Sequence, residues 1–337
     1  MAAFRLLTSF LTRSSIRIAA GVAAITFADA ACAHAVAPGA SSVPASFGWT
    51  FEPWVVACLA LSIGLYLAGY ARLRLRGARG RRDRALRLVS FVTGWIALVI
   101  ALVSPLHTLS EALFSAHMLQ HEIFMLVAAP LLVIGRPLAV WLWAFPPRAR
   151  QGISAATRSA WVNTPWRWLT TPAVAWVLHA AALWCWHAPR FFEAALASEG
   201  IHTLQHTSFL GTALLFWWTV FRPASQDGSR PHSAHAMLSL FTTMVHTGAL
   251  GALLTLAPEV WYPSCIESTL ALGFDPLQDQ QLGGLVMWVP GGLAYLVGGL
   301  LVGARWLTRR PASTLAPATS VARPAAPNTR LRAHEES

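Results

Sequence analysis

Two five-residue stretches carry side chains that can do chemistry. "HMLQH" runs from His117 to His121, and "HTLQH" runs from His202 to His206. Each sets two imidazoles four residues apart. On a helix such residues share a face, about 6 Å apart along the axis. A pair of this kind can bind one metal ion or open onto a shared site. The likeness extends upstream: "LHTLSEALFSAHMLQH" and "WHAPRFFEAALASEGIHTLQH" each place a histidine (His107, His187), then a Glu-Ala pair (Glu111, Glu193), before HxLQH. A third stretch, "DPLQDQQLGG", has the pattern DxLQD over Asp275–Asp279, with acids in place of histidines. Asp275 and Pro276 also suit the start of a helix. Asp279 is expected to serve as a carboxylate ligand or as the partner of an imidazole. The expected metal set is therefore His117, His121, His202, His206, His187, His107 and Asp279. His179 and His246 stand alone in apolar runs and are expected to bond a neighbouring helix or a water, with His246 a minor site candidate.

Imidazole suits copper, zinc, iron and nickel, whereas a thioether favours Cu(I). Met118 and Met125 lie on the first histidine segment, and Met244 lies further on. This mixture favours copper over zinc and leaves Cu(I) and Cu(II) both open. Haem is the competing cofactor, since two helices can supply its axial histidines. One haem uses fewer nitrogens than the paired motifs supply. "HEIFM" over His121–Met125 begins like a zinc-protease HExxH but lacks the second histidine. No CxxC occurs among Cys32, Cys58, Cys185 and Cys265, and there is no nucleotide-binding loop to drive an ATP-dependent pump. An enzyme is not expected.

The elements that must position these groups are set by composition. The 337 residues are 55% hydrophobic and 12% charged, with mean hydropathy +0.50. A polytopic membrane protein follows. Apolar runs near 52–71, 88–106, 113–135, 172–188, 203–221, 236–257 and 280–304 predict an all-α transmembrane bundle of about seven spans, built in part from repeated helix hairpins. All 25 basic residues are arginine, and they cluster between the apolar runs. The net charge of +11 therefore reads as membrane topology rather than nucleic-acid binding. The Arg-rich segments 72–87, 136–170, 222–235 and the tail face the cytoplasm by the positive-inside rule. Both HxLQH motifs then lie at the outer mouth of inward-running spans, and the C-terminus is cytoplasmic. Residues 1–35 read as a cleavable signal peptide, with Arg5, Arg13 and Arg17, a short apolar stretch and "ACAHA". Residues 36–51 read as a short periplasmic segment, 52–307 as the bundle, and 308–337 as a disordered tail.

The blocks "AHMLQHEIFMLVAAPLLVIGRPL", "WCWHAPRFFEAAL", "HTLQHTSFLGTALLFWW" and "DQQLGGLVMWVPGG" resemble, in order, those of the multi-span CtaG-type cytochrome c oxidase assembly factors. The resemblance covers roughly residues 50–305. It implies a bacterial inner-membrane protein that takes part in maturing the copper centre of a haem–copper oxidase. The implied partners are the oxidase subunit that carries that centre, a periplasmic copper chaperone and the lipid bilayer. Carried over by motif, it implies roles for His117, His121, His202, His206, Asp279 and His187. The same family name is also used for a single-span copper chaperone with cysteine ligands, which this chain does not resemble.

Overall fold

Apolar runs of this length leave the backbone one way to satisfy its hydrogen bonds in lipid, which is to coil. The computed structural model describes residues 47–75, 80–221 and 230–308, and these hold helices and no strand. The expected signal peptide, and the expected tail beyond Thr308, lie outside the described residues. Helix α1 (Pro53–Arg74) and α2 (Arg81–Val103) lead into a short α3 (Pro105–Ser110). The chain then runs through α4 (Phe114–Glu122), a π-helical segment (Ile123–Ala128), α5 (Ala129–Gly135) and α6 (Pro137–Trp141). Next come α7 (Pro147–Arg158), α8 (Ala160–Leu169), α9 (Pro172–His187), α10 (Pro189–Ala197) and α11 (Glu199–Phe221). The last helices are α12 (Arg230–Thr255), α13 (Ile266–Ala271) and α14 (Pro276–Thr308).

Among the described residues, five helices are long and apolar enough to cross a membrane, or six if α8 and α9, bent by 68°, form one broken span. The seven expected spans included 203–221. That segment is helical within α11, but its first third, "HTLQHTS", lowers its hydropathy, so it does not join the five. It packs inside the bundle against α5, α9 and α10.

The π segment has a local cause. Pro130 lacks an N–H and crowds the turn before it. The widened turn sends the Ala129 N–H five residues back to the Phe124 carbonyl. The Met125 carbonyl then loses both helical partners, because Ala129 is engaged and Pro130 cannot donate. The Trp217 indole Nε1 of α11 donates to it at 2.8 Å. A π turn of this kind often sits beside a functional site, and this one begins two residues after His121. One apolar core, including Tyr66, Phe91, Phe124, Phe209, Phe216 and Trp217, lies beneath the histidines. A smaller cluster of Phe114, Met118, Phe192 and Tyr262 packs beside them.

Close helix approach is concentrated between α12 and α14. A Cβ on Gly284 would lie 2.6 Å from the Thr255 amide nitrogen and 2.7 Å from the Gly251 carbonyl oxygen. The Gly299/Gly303 pair, which the small-residue spacing also marks for close packing, has no such contact: Gly299 faces open space.

Candidate metal centre

The two HxLQH turns face one another. His117 and His121 come from α4, and His202 and His206 from α11. Ring centroids stand 4.3 Å apart within the first pair and 4.1 Å within the second. Across the pairs, His117 lies 5.5 Å from His202, and His121 lies 5.3 Å from His206. His107, on α3, lies 6.2 Å from His202. His187, the last residue of α9, lies 6.5 Å from His121. Six of the seven expected residues thus converge.

Their nitrogens are not equivalent. The ligand atoms of His117, His121 and His206 all lie within 4.8 Å of one another. His117 Nδ1 donates to the Ser110 carbonyl at 3.2 Å, which leaves the lone pair on Nε2. That Nε2 is buried without a partner, as are both nitrogens of His121 and Nε2 of His202 and His206. Buried polar atoms are nearly always paired in native proteins, so five orphans on four adjoining rings need an explanation. A cation shared among them supplies one.

His107 is engaged on both sides. Gln120 Nε2 donates to the Ala101 carbonyl at 2.6 Å, which identifies that atom as the amide nitrogen, and also contacts His107 Nδ1 at 3.1 Å. Nδ1 therefore accepts and Nε2 carries the proton. Nε2 faces Glu52 at 3.7 Å and Glu111 at 3.9 Å. His107 links the cluster to two carboxylates, Glu52 and Glu111. Facing His107 holds the Glu52 carboxyl below its ordinary range, and desolvation, with Glu52 and Glu199 nearby, pushes Glu111 up.

Asp279 is placed elsewhere. Its carboxylate accepts the Phe114 amide at 2.7 Å, the Ser115 amide at 3.2 Å and the Ser115 hydroxyl. It caps the first turn of α4 from a neighbouring helix, satisfying donors that the helix cannot. No hydrogen bond joins it to an imidazole among the described residues. The likeness to HxLQH ends there, and the adjoining Gln280 and Gln281 bond loop carbonyls at Glu259 and Ala257.

Aromatic rings wall the site. Phe192 lies 5.1 Å from His117, Phe209 4.5 Å from His121, and Phe124 5.0 Å from His206. Deeper in the bundle, His179 bridges helices as expected, through Thr212 at 3.3 Å and Tyr295 at 3.4 Å. Neither ring nitrogen of His246 bonds a protein group, and its ring stands 5.7 Å from that of Trp176. Glu122 was not singled out. It is 8% exposed, its Oε2 has no partner, and a Cβ on Gly291 would lie 3.3 Å from that oxygen. The available signal was a carboxylate inside an apolar span, which is costly and marks sites. Glu122 lies in "HEIFM", next to His121.

The family model described as "Cytochrome c oxidase caa3 assembly factor (Caa3_CtaG)" matches residues 64–309, a stretch that contains every residue of the cluster except His107's partner Glu52. The chain belongs to the caa3 assembly factor family. Among curated relatives, an uncharacterized protein of Mycobacterium bovis is 28% identical over 249 residues, covering 71% of this chain and 36% of its own length. One from Mycobacterium leprae is 27% identical over 267 residues, covering 77% of this chain and 39% of its own length. The chain thus spans well under half the length of these relatives. No solved structure matches this caa3 assembly factor family member.

Proposed function

We propose that the chain is a non-catalytic assembly factor of the bacterial inner membrane that holds copper as cargo near the outer face and passes it on during maturation of the oxidase copper centre. The observation that carries this reading is the triad of His117, His121 and His206, with ligand atoms within 4.8 Å and buried nitrogens lacking partners. Imidazole donors suit copper. Family membership directs the cargo toward a cytochrome c oxidase. The partner is the oxidase subunit that carries the copper centre, with a periplasmic copper chaperone as donor. The C-terminus is cytoplasmic, in keeping with the arginine distribution.

The packing of the rings speaks against haem. A porphyrin needs a flat slot between its axial rings, whereas the paired imidazoles here contact one another at 4.1–5.5 Å. Transport across the bilayer is disfavoured by the Phe124 and Phe209 rings packed on the cluster. The reading is tested in cells lacking the gene. The oxidase should accumulate with a depleted copper centre, restored by the natural chain and not by a His117→Ala/His206→Ala variant at equal membrane abundance. Full restoration by that variant contradicts the proposal.

A further inference from the structure

Beside the three-imidazole seat lies a pair of donors of a different kind. His187 Nδ1 is 2.6 Å from the Leu183 carbonyl, which has no proton to give, so Nδ1 carries the hydrogen. In the neutral ring, Nε2 then offers only a lone pair. That Nε2 is 3.4 Å from Met118 Sδ, which also offers only lone pairs. Both residues are buried, and the groups against them are apolar or neutral: Phe209 by His187, and Phe114, Phe192 and Tyr262 by Met118. Among the described residues no carboxylate contacts His187 to hold a charged ring. Two lone pairs turned toward each other in a dry setting repel, and a cation between them would convert the repulsion to ligation.

We infer that Met118 and His187 form a second, soft seat for the same cargo, and that the cargo is held there as Cu(I). The inference rests on the copper reading above. A thioether with an imidazole selects a soft monovalent ion over Zn(II) or Cu(II). The pair is also held in place by its surroundings. The Tyr262 hydroxyl donates to the His187 carbonyl at 2.8 Å, fixing the end of α9. A Cβ on Gly283 would lie 3.2 Å from Met118 Cγ, so the bare glycine leaves room for that side chain. Met118 follows His117 directly, and the His187 ring is 6.5 Å from that of His121, so an ion could step between the seats by side-chain motion.

The test uses the full chain in detergent, with its methionines replaced by selenomethionine and loaded with Cu(I). X-ray absorption at the copper edge then separates selenium from nitrogen and from cysteine sulfur. The expected result is a selenium scatterer beside imidazole nitrogen. Met118→Leu, which conserves volume, should remove the selenium signal and keep the nitrogen. The same chain loaded with Zn(II) should show no selenium. Copper bound with imidazole scattering but without selenium would overturn the soft seat and leave the copper reading standing, with Met118 as packing only. No bound copper in the natural chain would overturn the copper reading and the soft seat together.

Discussion

An imidazole buried in an apolar bundle must either engage both ring nitrogens or leave one bare. The cluster divides along that line. His107 engages both, through Gln120 and the Glu52 and Glu111 carboxylates, while His117, His121, His202 and His206 leave nitrogens open. Two expectations belong to this scale. Gln120→Leu strands the Ala101 carbonyl and frees His107 Nδ1. An orphaned buried group costs about 1–3 kcal/mol, so thermal unfolding in detergent should show a loss of that order. Glu52 is linked to pH. Its folded-state pKa lies below the ordinary value of 4.5, so its contribution is fully present above that value and is lost as pH falls through the lowered one. The stability gap between the natural chain and Glu52→Gln should therefore close on acidification below about pH 4.5; a gap unchanged down to acid unfolding would contradict the Glu52–His107 link. The residue types and their i, i+4 spacing were legible in the sequence, and they brought six of seven residues to one place. Which nitrogen is bare was not legible, because it is fixed by carbonyls and amides such as Ser110 and Gln120 that only the packed structure brings near.

The elements account for the place of Asp279. Its spacing in DxLQD mimics the histidine motifs, but α14 enters beside the start of α4, whose first amides need an acceptor. That need comes from the helix terminus and leaves no mark in periodicity. Asp279→Ala should destabilise the chain by about 1–3 kcal/mol, the combined scale of a lost cap and a buried unpaired amide, with the bound-metal count unchanged. A lost metal with unchanged stability would restore the ligand role. The helices themselves were largely readable, since apolar runs must coil in lipid. The π segment was not, although Pro130 gave its cause. The segment 203–221 is helical but is not among the five helices long and apolar enough to cross a membrane, because "HTLQHTS" carries a polar load.

At the scale of the molecule, lipid removes the hydrophobic drive between helices, so the bundle relies on close packing and on polar contacts. The α12–α14 contact at Gly251 and Gly284 is one expression of this. Gly284→Ala would place a methyl against backbone atoms of α12 and should cost about 1–3 kcal/mol as overpacking, read as a lower unfolding temperature. Gly299→Ala, in open space, is the matched control and should leave that temperature unchanged. The bundle as a whole brings six of its histidines together between the Glu52 and Glu111 carboxylates and the Phe124 and Phe209 rings. The most direct measurement is metal analysis with a visible spectrum on the full chain, purified from copper-replete cells beside a His117→Ala/His206→Ala variant. Copper in the natural chain, lost from the folded variant and with no Soret band in either, is the predicted result. A Soret band, or a folded natural chain that binds no copper, would contradict it.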